Sequence, residues 1–311
     1  MTFKGLGVNT RRTDGNFQKL EEQLAYLKEA GFEYLEVSSD VVDTIGGGRI
    51  IPKRMDRLIE LIERFGFKCT AHIHNGVDLR DEEDRTFQLE SLRSGIEFAG
   101  LLGAELLVLH FEKQSDDPRK ESLFREAVLE GLEFARKWKL KLGIENIEIE
   151  KLSKAADFVR SINDPELLFV LDLGHAFLSE RHFGEDFLES VGRVADLVGH
   201  IHLSDNFGRF ERMRVRNFDL YRVSSYTNRL NLGRGDLNLP PGWGTIPFEE
   251  TLKILDNYRG IVILEYYHDK YFDFNPEILK ETKKLLAKYG STESARELHG
   301  QRGISAYKTQ G

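Results

Sequence analysis

The chain has 311 residues, 40% hydrophobic and 31% charged, with a net charge of −8. That length can bury a large core without staples, and a single cysteine, Cys69, excludes both a disulfide framework and a cysteine-based zinc site. The acidic balance argues against a protein whose task is to grip nucleic acid. The lone cysteine, the lack of an apolar leader over Met1–Val8 and the lack of any bilayer-length apolar run lead us to expect a cytoplasmic protein with no membrane partner.

Along the chain, short runs rich in Val, Ile and Leu alternate with longer amphipathic stretches. Strands are expected at Gly5–Asn9, Tyr34–Ser38, Lys68–His72, Leu106–His110, Lys141–Glu145, Leu168–Asp172, Gly199–Leu203 and Ile261–Glu265. Their near-continuous apolar character is that of strands covered on both faces. Between them, Gln18–Glu29 carries Leu20, Leu24 and Leu27 at helical spacing and meets Gly31 as a C-cap. Lys53–Arg64, Thr86–Leu102, Ser122–Lys137 and Pro276–Lys288 read in the same way. Polar residues at the strand ends recur every 27 to 38 positions from Glu36 to His202, about one βαβ unit of roughly 30 residues. Such alternation implies a parallel sheet, and eight units close on themselves. The predicted fold is therefore α/β, a single (β/α)8 barrel over residues 1–289. No Gly-x-Gly-x-x-Gly follows the first strand, which argues against an open dinucleotide-binding sheet. The rhythm breaks between His202 and Glu265, which lie 63 positions apart. The excess is an insertion at about 206–243 on the loop after strand seven, and long loops in compact domains usually serve function. A polar tail, 290–311, is expected to fray.

The chemistry lies at the strand ends. Glu36, His72, His110, Glu145, Asp172, His202 and Glu265 each fall at or beside the C-terminal end of a different strand, the end where barrel active sites are built. Buried strands avoid ionisable residues because an unpaired buried charge is costly. Glu145, Asp172 and Glu265 gathered without a cation would repel one another and shift upwards in pKa. A bound metal removes that conflict, and mixed imidazole and carboxylate donors suit Zn, Mn, Co or Fe(II), with Mg at a more oxygen-rich site.

The segments "TAHIHNGVDL" (70–79), "LVLHFE" (107–112), "LGIEN" (142–146), "LDLGHAF" (171–177), "GHIHLSDN" (199–206), "PGWGTIPF" (241–248) and "ILEYY" (263–267) together resemble the xylose isomerase-like barrels. That superfamily holds sugar isomerases and epimerases and also the endonuclease IV type of DNA-repair enzyme. The resemblance implies one divalent ion (Mn, Zn, Co or Mg) held by Glu145, Asp172, His202 and Glu265. It implies a substrate contact or a further metal at His175, and in the nuclease branch a second metal on His72 and His110 with Glu145. A third nuclease metal would need an Asp-x-His, where this chain has Asp236-Leu237-Asn238. We place His175, Asp236, Asn238 and Trp243 as substrate-binding residues, Trp243 as a wall of the pocket.

The implied function is a metal-dependent sugar or sugar phosphate isomerase or epimerase. It would work by proton transfer beside a metal-bound carbonyl, with Glu145 and Glu265 as the acid/base pair. The alternatives are an endonuclease IV-like, zinc-dependent nuclease at abasic sites and an inosose-type dehydratase. The net charge, Asn238 and the lack of a Gly-Gln-Gly stretch after Glu145 disfavour the nuclease. Between Phe207 and Gly235 the insertion carries Arg209, Arg212, Arg214, Arg216, Arg222, Arg229 and Arg234 against only Glu211 and Asp219. Guanidinium forks match phosphate, so Arg212, Arg214 and Arg216 are expected to bind a substrate phosphate. The competing reading is a subunit interface in a homo-oligomer. Phe218, Tyr221 and Tyr226 are expected to stack on a ligand or cover the mouth. His182, His268 and His299 receive no role, and His200 is expected to face the helices.

Overall fold

The computed structural model describes residues 2–289 and 291–292. Eight parallel strands close into a barrel: β1 (Gly5–Asn9), β2 (Tyr34–Ser38), β3 (Lys68–His72), β4 (Leu106–His110), β5 (Lys141–Glu145), β6 (Leu167–Asp172), β7 (Val198–Leu203) and β8 (Ile261–Leu264). Each pairs with its sequence neighbours, and β8 returns to β1 with Ile263 opposite Gly7. The expected tail from 290 lies outside the described residues, apart from Ser291–Thr292, whose backbone pairs in parallel with Thr2–Phe3.

Helices follow the strands as the repeat requires. The helix α1 (Phe17–Ala30) opens on Asn16, whose side chain accepts the N–H of Lys19 at 3.1 Å, and closes on Gly31 at φ 92°. It buries Leu20, Leu24 and Leu27. Pro52 starts α2 (Pro52–Phe65), and α3 (Arg85–Leu101) and α4 (Pro118–Arg136) follow β3 and β4. Beyond the expected helices are α5 (Leu152–Ile162), α6 (Leu173–Phe183) and α7 (Phe187–Val194).

The segment 206–243 carries three short helices joined by irregular turns. It forms α8 (Met213–Arg216), α9 (Phe218–Val223) and α10 (Tyr226–Leu232). After it come α11 (Phe248–Ile254) and α12 (Asn275–Tyr289). One buried carboxylate ties the two ends of the segment together. Asp205 accepts backbone N–H groups from Gly242 (2.9 Å), Gly244 (2.8 Å) and Ile246 (3.1 Å), and its own backbone bridges Leu239. Residue 244 must be glycine there, since a Cβ would lie 2.3 Å from the carbonyl oxygen of Asn206.

Side chains on a strand alternate between its two faces, so each strand sends every second residue into the barrel. The lower interior is apolar: Tyr34, Ile261 and Ile263 form one buried group, and Leu106, Val108 and Val170 another. Gly7 makes room for them, as a Cβ would lie 2.6 Å from Cδ1 of Ile263. Two residues further along the same strands stand Glu36, His110, Asp172 and Glu265. The parity that plugs the barrel below thus delivers a layer of ionisable groups above.

Candidate metal and substrate site

The centre of that layer is His202, which is fully buried. Its Nδ1 lies 2.7 Å from Oε1 of Glu145 and 3.0 Å from Oε2 of Glu265, and its Nε2 lies 3.0 Å from Oε1 of Glu36. Glu145, Asp172, His202 and Glu265 each bring one donor atom into a group whose members all lie within 4.8 Å of one another. Asn146 locks the two strand ends that carry Glu145 and Asp172. Its amide donates to the Asp172 carbonyl and accepts the Asp172 N–H, both at 3.0 Å. Asp172 also caps α6, accepting the N–H of His175 at 2.5 Å. A second group of three adjoins the first: Nε2 of His72 and Nε2 of His110 approach Oε2 of Glu145 at 3.2 and 3.3 Å.

Charge in this layer is unbalanced. Burial, then the neighbouring Glu265 and Glu145 charges, hold the Asp172 carboxyl well above its usual range despite His175 and His202. Burial also acts to raise Glu145, but His202, His110 and His72 outweigh it and bring the group well below its ordinary value. The His202 imidazolium is opposed by burial but strongly favoured by Glu36, Glu145 and Glu265. Three carboxylates around one imidazole therefore compete for too few protons, and Oε2 of Glu265 is buried with no hydrogen bond. A divalent cation among these donors would relieve both conditions, so the residues present fit such an ion.

Above the layer opens a cleft of about 890 Å³. Glu36, His72, His110, His175, Asp236, Asn238 and Glu265 line it, as do Phe218 and Tyr221 of α9. The amide of Asn238 donates to Oδ2 of Asp236 at 2.9 Å, so it serves the carboxylate as a hydrogen-bond partner. His175 places Nδ1 3.4 Å from Oε2 of Glu148. Its burial favours the neutral ring, but Asp172, Asp236, Glu148 and Glu145 together hold it up to about 10.

Several expectations need correction. His200 does not face the helices. It is 1% exposed inside the barrel, with Nε2 3.4 Å from Oε2 of Glu36, because residues two apart on a strand share a face. Of the three arginines expected to act together, only Arg214 reaches the cleft, where Nε donates to Oε1 of Glu148 at 2.7 Å. Arg212 and Arg216 are exposed and lie outside the cleft lining, since positions two apart on a helical turn point in nearly opposite directions. Trp243, 44% exposed, packs edge-on against Tyr271 and Phe274 instead of walling the cleft. Tyr226 likewise turns away from the cleft, its hydroxyl 2.6 Å from that of Tyr271. Glu148, buried beside His175 and Arg214, was missed; three positions after Glu145 on an irregular turn, it follows no strand or helix period.

Most cleft cations are already engaged. Arg11 pairs with Asp269, Arg12 with Asp40, Arg80 with Glu121 and Arg214 with Glu148. Lys113 and Arg222 line the cleft with no ion-pair partner among the described residues. No helix of the described residues is long and apolar enough to cross a membrane.

The family described as xylose isomerase-like TIM barrel matches residues 24–289. Among curated proteins, the L-ribulose-5-phosphate 3-epimerase UlaE of Escherichia coli is 24% identical, the match covering 88% of this chain and 92% of that protein. Among solved structures, a D-tagatose 3-epimerase-like protein superposes with a TM-score of 0.67 at 20% identity, covering 91% of this chain and 98% of the other. The D-psicose 3-epimerase of Clostridium cellulolyticum H10, crystallised with D-tagatose, gives 0.64 at 14% identity, covering 91% and 99%.

Proposed function

The chain belongs to the xylose isomerase-like TIM barrel family, and from that premise we propose that it is a divalent-metal-dependent sugar isomerase or epimerase acting on a small ketose, free or phosphorylated. The observation that carries this reading is the convergence of Glu145, Asp172, His202 and Glu265 within 4.8 Å at the floor of an open cleft. The relatives that are named as epimerases of ketoses and of a ketose phosphate support it.

These four residues would hold the ion, with His72 and His110 beside Glu145 offering a second place. When bound, the ion would polarise a ketose carbonyl and acidify the adjacent C–H. The protein's own groups would do the rest. Glu145 is shut in at the base of the cleft, whereas Glu265 keeps 22% of its side chain exposed towards it. A ketose seated in the cleft would meet Glu265 at its wall and would have Glu145 beneath it. One takes the proton from the carbon beside the carbonyl, and the other returns a proton to the opposite face. His175, Glu148 and Asp236, three ionisable groups on one wall, would hold the sugar hydroxyls by hydrogen bonds. Lys113 and Arg222 are the cations left to meet a phosphate where the ketose carries one.

The test is turnover of ketoses and ketose phosphates with Mn, Co, Mg or Zn supplied, beside incision of duplex DNA containing an abasic site. We expect chelator-sensitive turnover of at least one ketose and no efficient incision. With an amide at Asn238 committed to Asp236, the third metal of the nuclease branch loses its imidazole. Robust incision abolished in Glu145→Ala would replace this reading with the repair enzyme.

A further inference from the structure

Beside the four candidate ligands, Glu36 is 1% exposed in the middle of the barrel. Two strands supply its surroundings. Thr70 of β3 donates its hydroxyl to Oε2 at 3.0 Å. His200 and His202 of β7 both aim Nε2 at the carboxylate, His200 at 3.4 Å and His202 at 3.2 Å from Oε2. His202 also reaches the candidate ligands, since its Nδ1 stands 2.7 Å from Glu145 and 3.0 Å from Glu265.

A neutral imidazole carries one N–H and one lone pair, and which nitrogen has which is decided by the partner of the other. A carboxylate has no proton to give. Both ring nitrogens face carboxylates in the metal-free protein, but a divalent ion held by Glu145, Asp172 and Glu265 would leave no place for a proton on Nδ1, and Nε2, still facing Glu36, would then be the donor. We propose that Glu36 is a positioning residue that fixes His202 in the Nε2–H tautomer and so presents Nδ1 as a ligand to the divalent ion. This rests on the metal reading above. An apolar side chain at position 36 would continue the plug formed by Tyr34 and Ile263 but would leave the His202 tautomer free.

Glu36→Gln separates these roles. The glutamine amide has nearly the same shape, yet it can donate to Nε2, which lets the proton move to Nδ1 and closes the lone pair to a metal. Calorimetric titration of the apo protein with Mn²⁺ alone should show affinity falling about 10- to 100-fold in Glu36→Gln, the usual cost of losing a partner behind a metal-bound His. Glu36→Asp, which keeps the anion, should recover part of it. Nitrogen NMR of histidine-labelled wild-type protein loaded with Zn²⁺, with His202 assigned through His202→Asn, should show a protonated Nε2 and an unprotonated Nδ1. Wild-type Mn²⁺ affinity in Glu36→Gln, or a protonated Nδ1 in the loaded wild type, overturns the role of Glu36. The NMR result decides by itself if the variant does not fold. A wild-type chain that takes up no Mn²⁺ overturns the metal reading instead, and the two failures are thereby distinct.

Discussion

The backbone N–H of His175 donates to Oδ1 of Asp172 at 2.5 Å. The residue that caps α6 is thus one of the four that crowd together at the floor of the cleft. This double duty predicts different results from two substitutions. Asp172→Asn keeps an oxygen for the cap but removes a carboxylate that burial and two neighbouring glutamates disfavour. Without metal it should be at least as stable as the wild type, yet bind divalent ions much more weakly. Asp172→Ala should lose metal as well and give up a further ~1 kcal/mol with the cap. Elemental analysis beside urea denaturation separates the cases, and full metal content in both variants would remove Asp172 from the ligand set.

Proton transfer is tested at Glu265. A ketose substrate incubated with the enzyme in deuterated water should gain deuterium beside its carbonyl. Glu265→Gln should lose that exchange by 100-fold or more, since an amide cannot take a proton and positioned acid/base groups contribute about 10²–10⁴. Unchanged incorporation in the variant would show that Glu265 has no part in the chemistry.

The arginines divide by their partners. Arg214 donates to Glu148, whose side chain is 6% exposed, so Arg214→Ala should leave that carboxylate with His175 as its remaining charge partner and cost about 1–3 kcal/mol of stability. It should impair free and phosphorylated ketoses alike. Arg222, without an ion-pair partner among the described residues, should behave otherwise. Its change to Ala should raise KM for a ketose phosphate about 5- to 30-fold, the worth of about 1–2 kcal/mol, while leaving the free sugar unaffected. Michaelis constants for a matched sugar pair check both, and equal effects of Arg222→Ala on the two sugars would assign it no phosphate.

Burial pushes the His268 imidazole down to about 4, with Arg11 adding to the effect and Asp269 opposing it. Its ordinary value is 6.5. Above pH 6.5 the ring is neutral in both states and the full stability is present. As pH falls from 6.5 towards 4, the unfolded chain binds a proton that the folded one refuses, and stability is lost by about 3 kcal/mol in all. Below pH 4 the folded ring is protonated too, and the loss from this group stops growing. Denaturation of the wild type and His268→Gln across this window should show a shallower pH slope in the variant. Parallel slopes would rule out this linkage.

The barrel was legible because strands covered on both faces leave a strong mark. From Gly5–Asn9 to Lys141–Glu145 the first five match residue for residue, and the last three differ by one residue at an end. The helix α6 was not legible, because it starts directly at the end of β6 and buries Leu173, Gly174, Ala176, Phe177, Leu178, Ser179 and Glu180, leaving no clean polar stripe to mark a period. At the site, strand alternation brought Glu36, His72, His110, Glu145, Asp172, His202 and Glu265 to one end. The same rule correctly applied also sends His200 inward. Arg212, Arg214 and Arg216 invite alternation too, but they fall on a short helix where it does not hold. Glu148 depends on a turn whose path no local pattern reveals.

The ends of the 206–243 segment meet at a single side chain, Asp205, whose carboxylate holds Gly242, Gly244 and Ile246. The three short helices therefore form a loop closed at its base by that carboxylate and tied to the barrel by Arg214 on Glu148 and Tyr226 on Tyr271. Because the closure cost of a loop grows only slowly with its length, residues of the segment other than Arg214, Tyr226 and Asp236 can be added, removed or exchanged with little strain on β7 and β8. The floor of the cleft and its canopy can then diverge at different rates: a lineage could replace the α9 side chains Phe218, Tyr221 and Arg222 wholesale, and with them the choice of substrate, while inheriting the chemistry beneath unchanged.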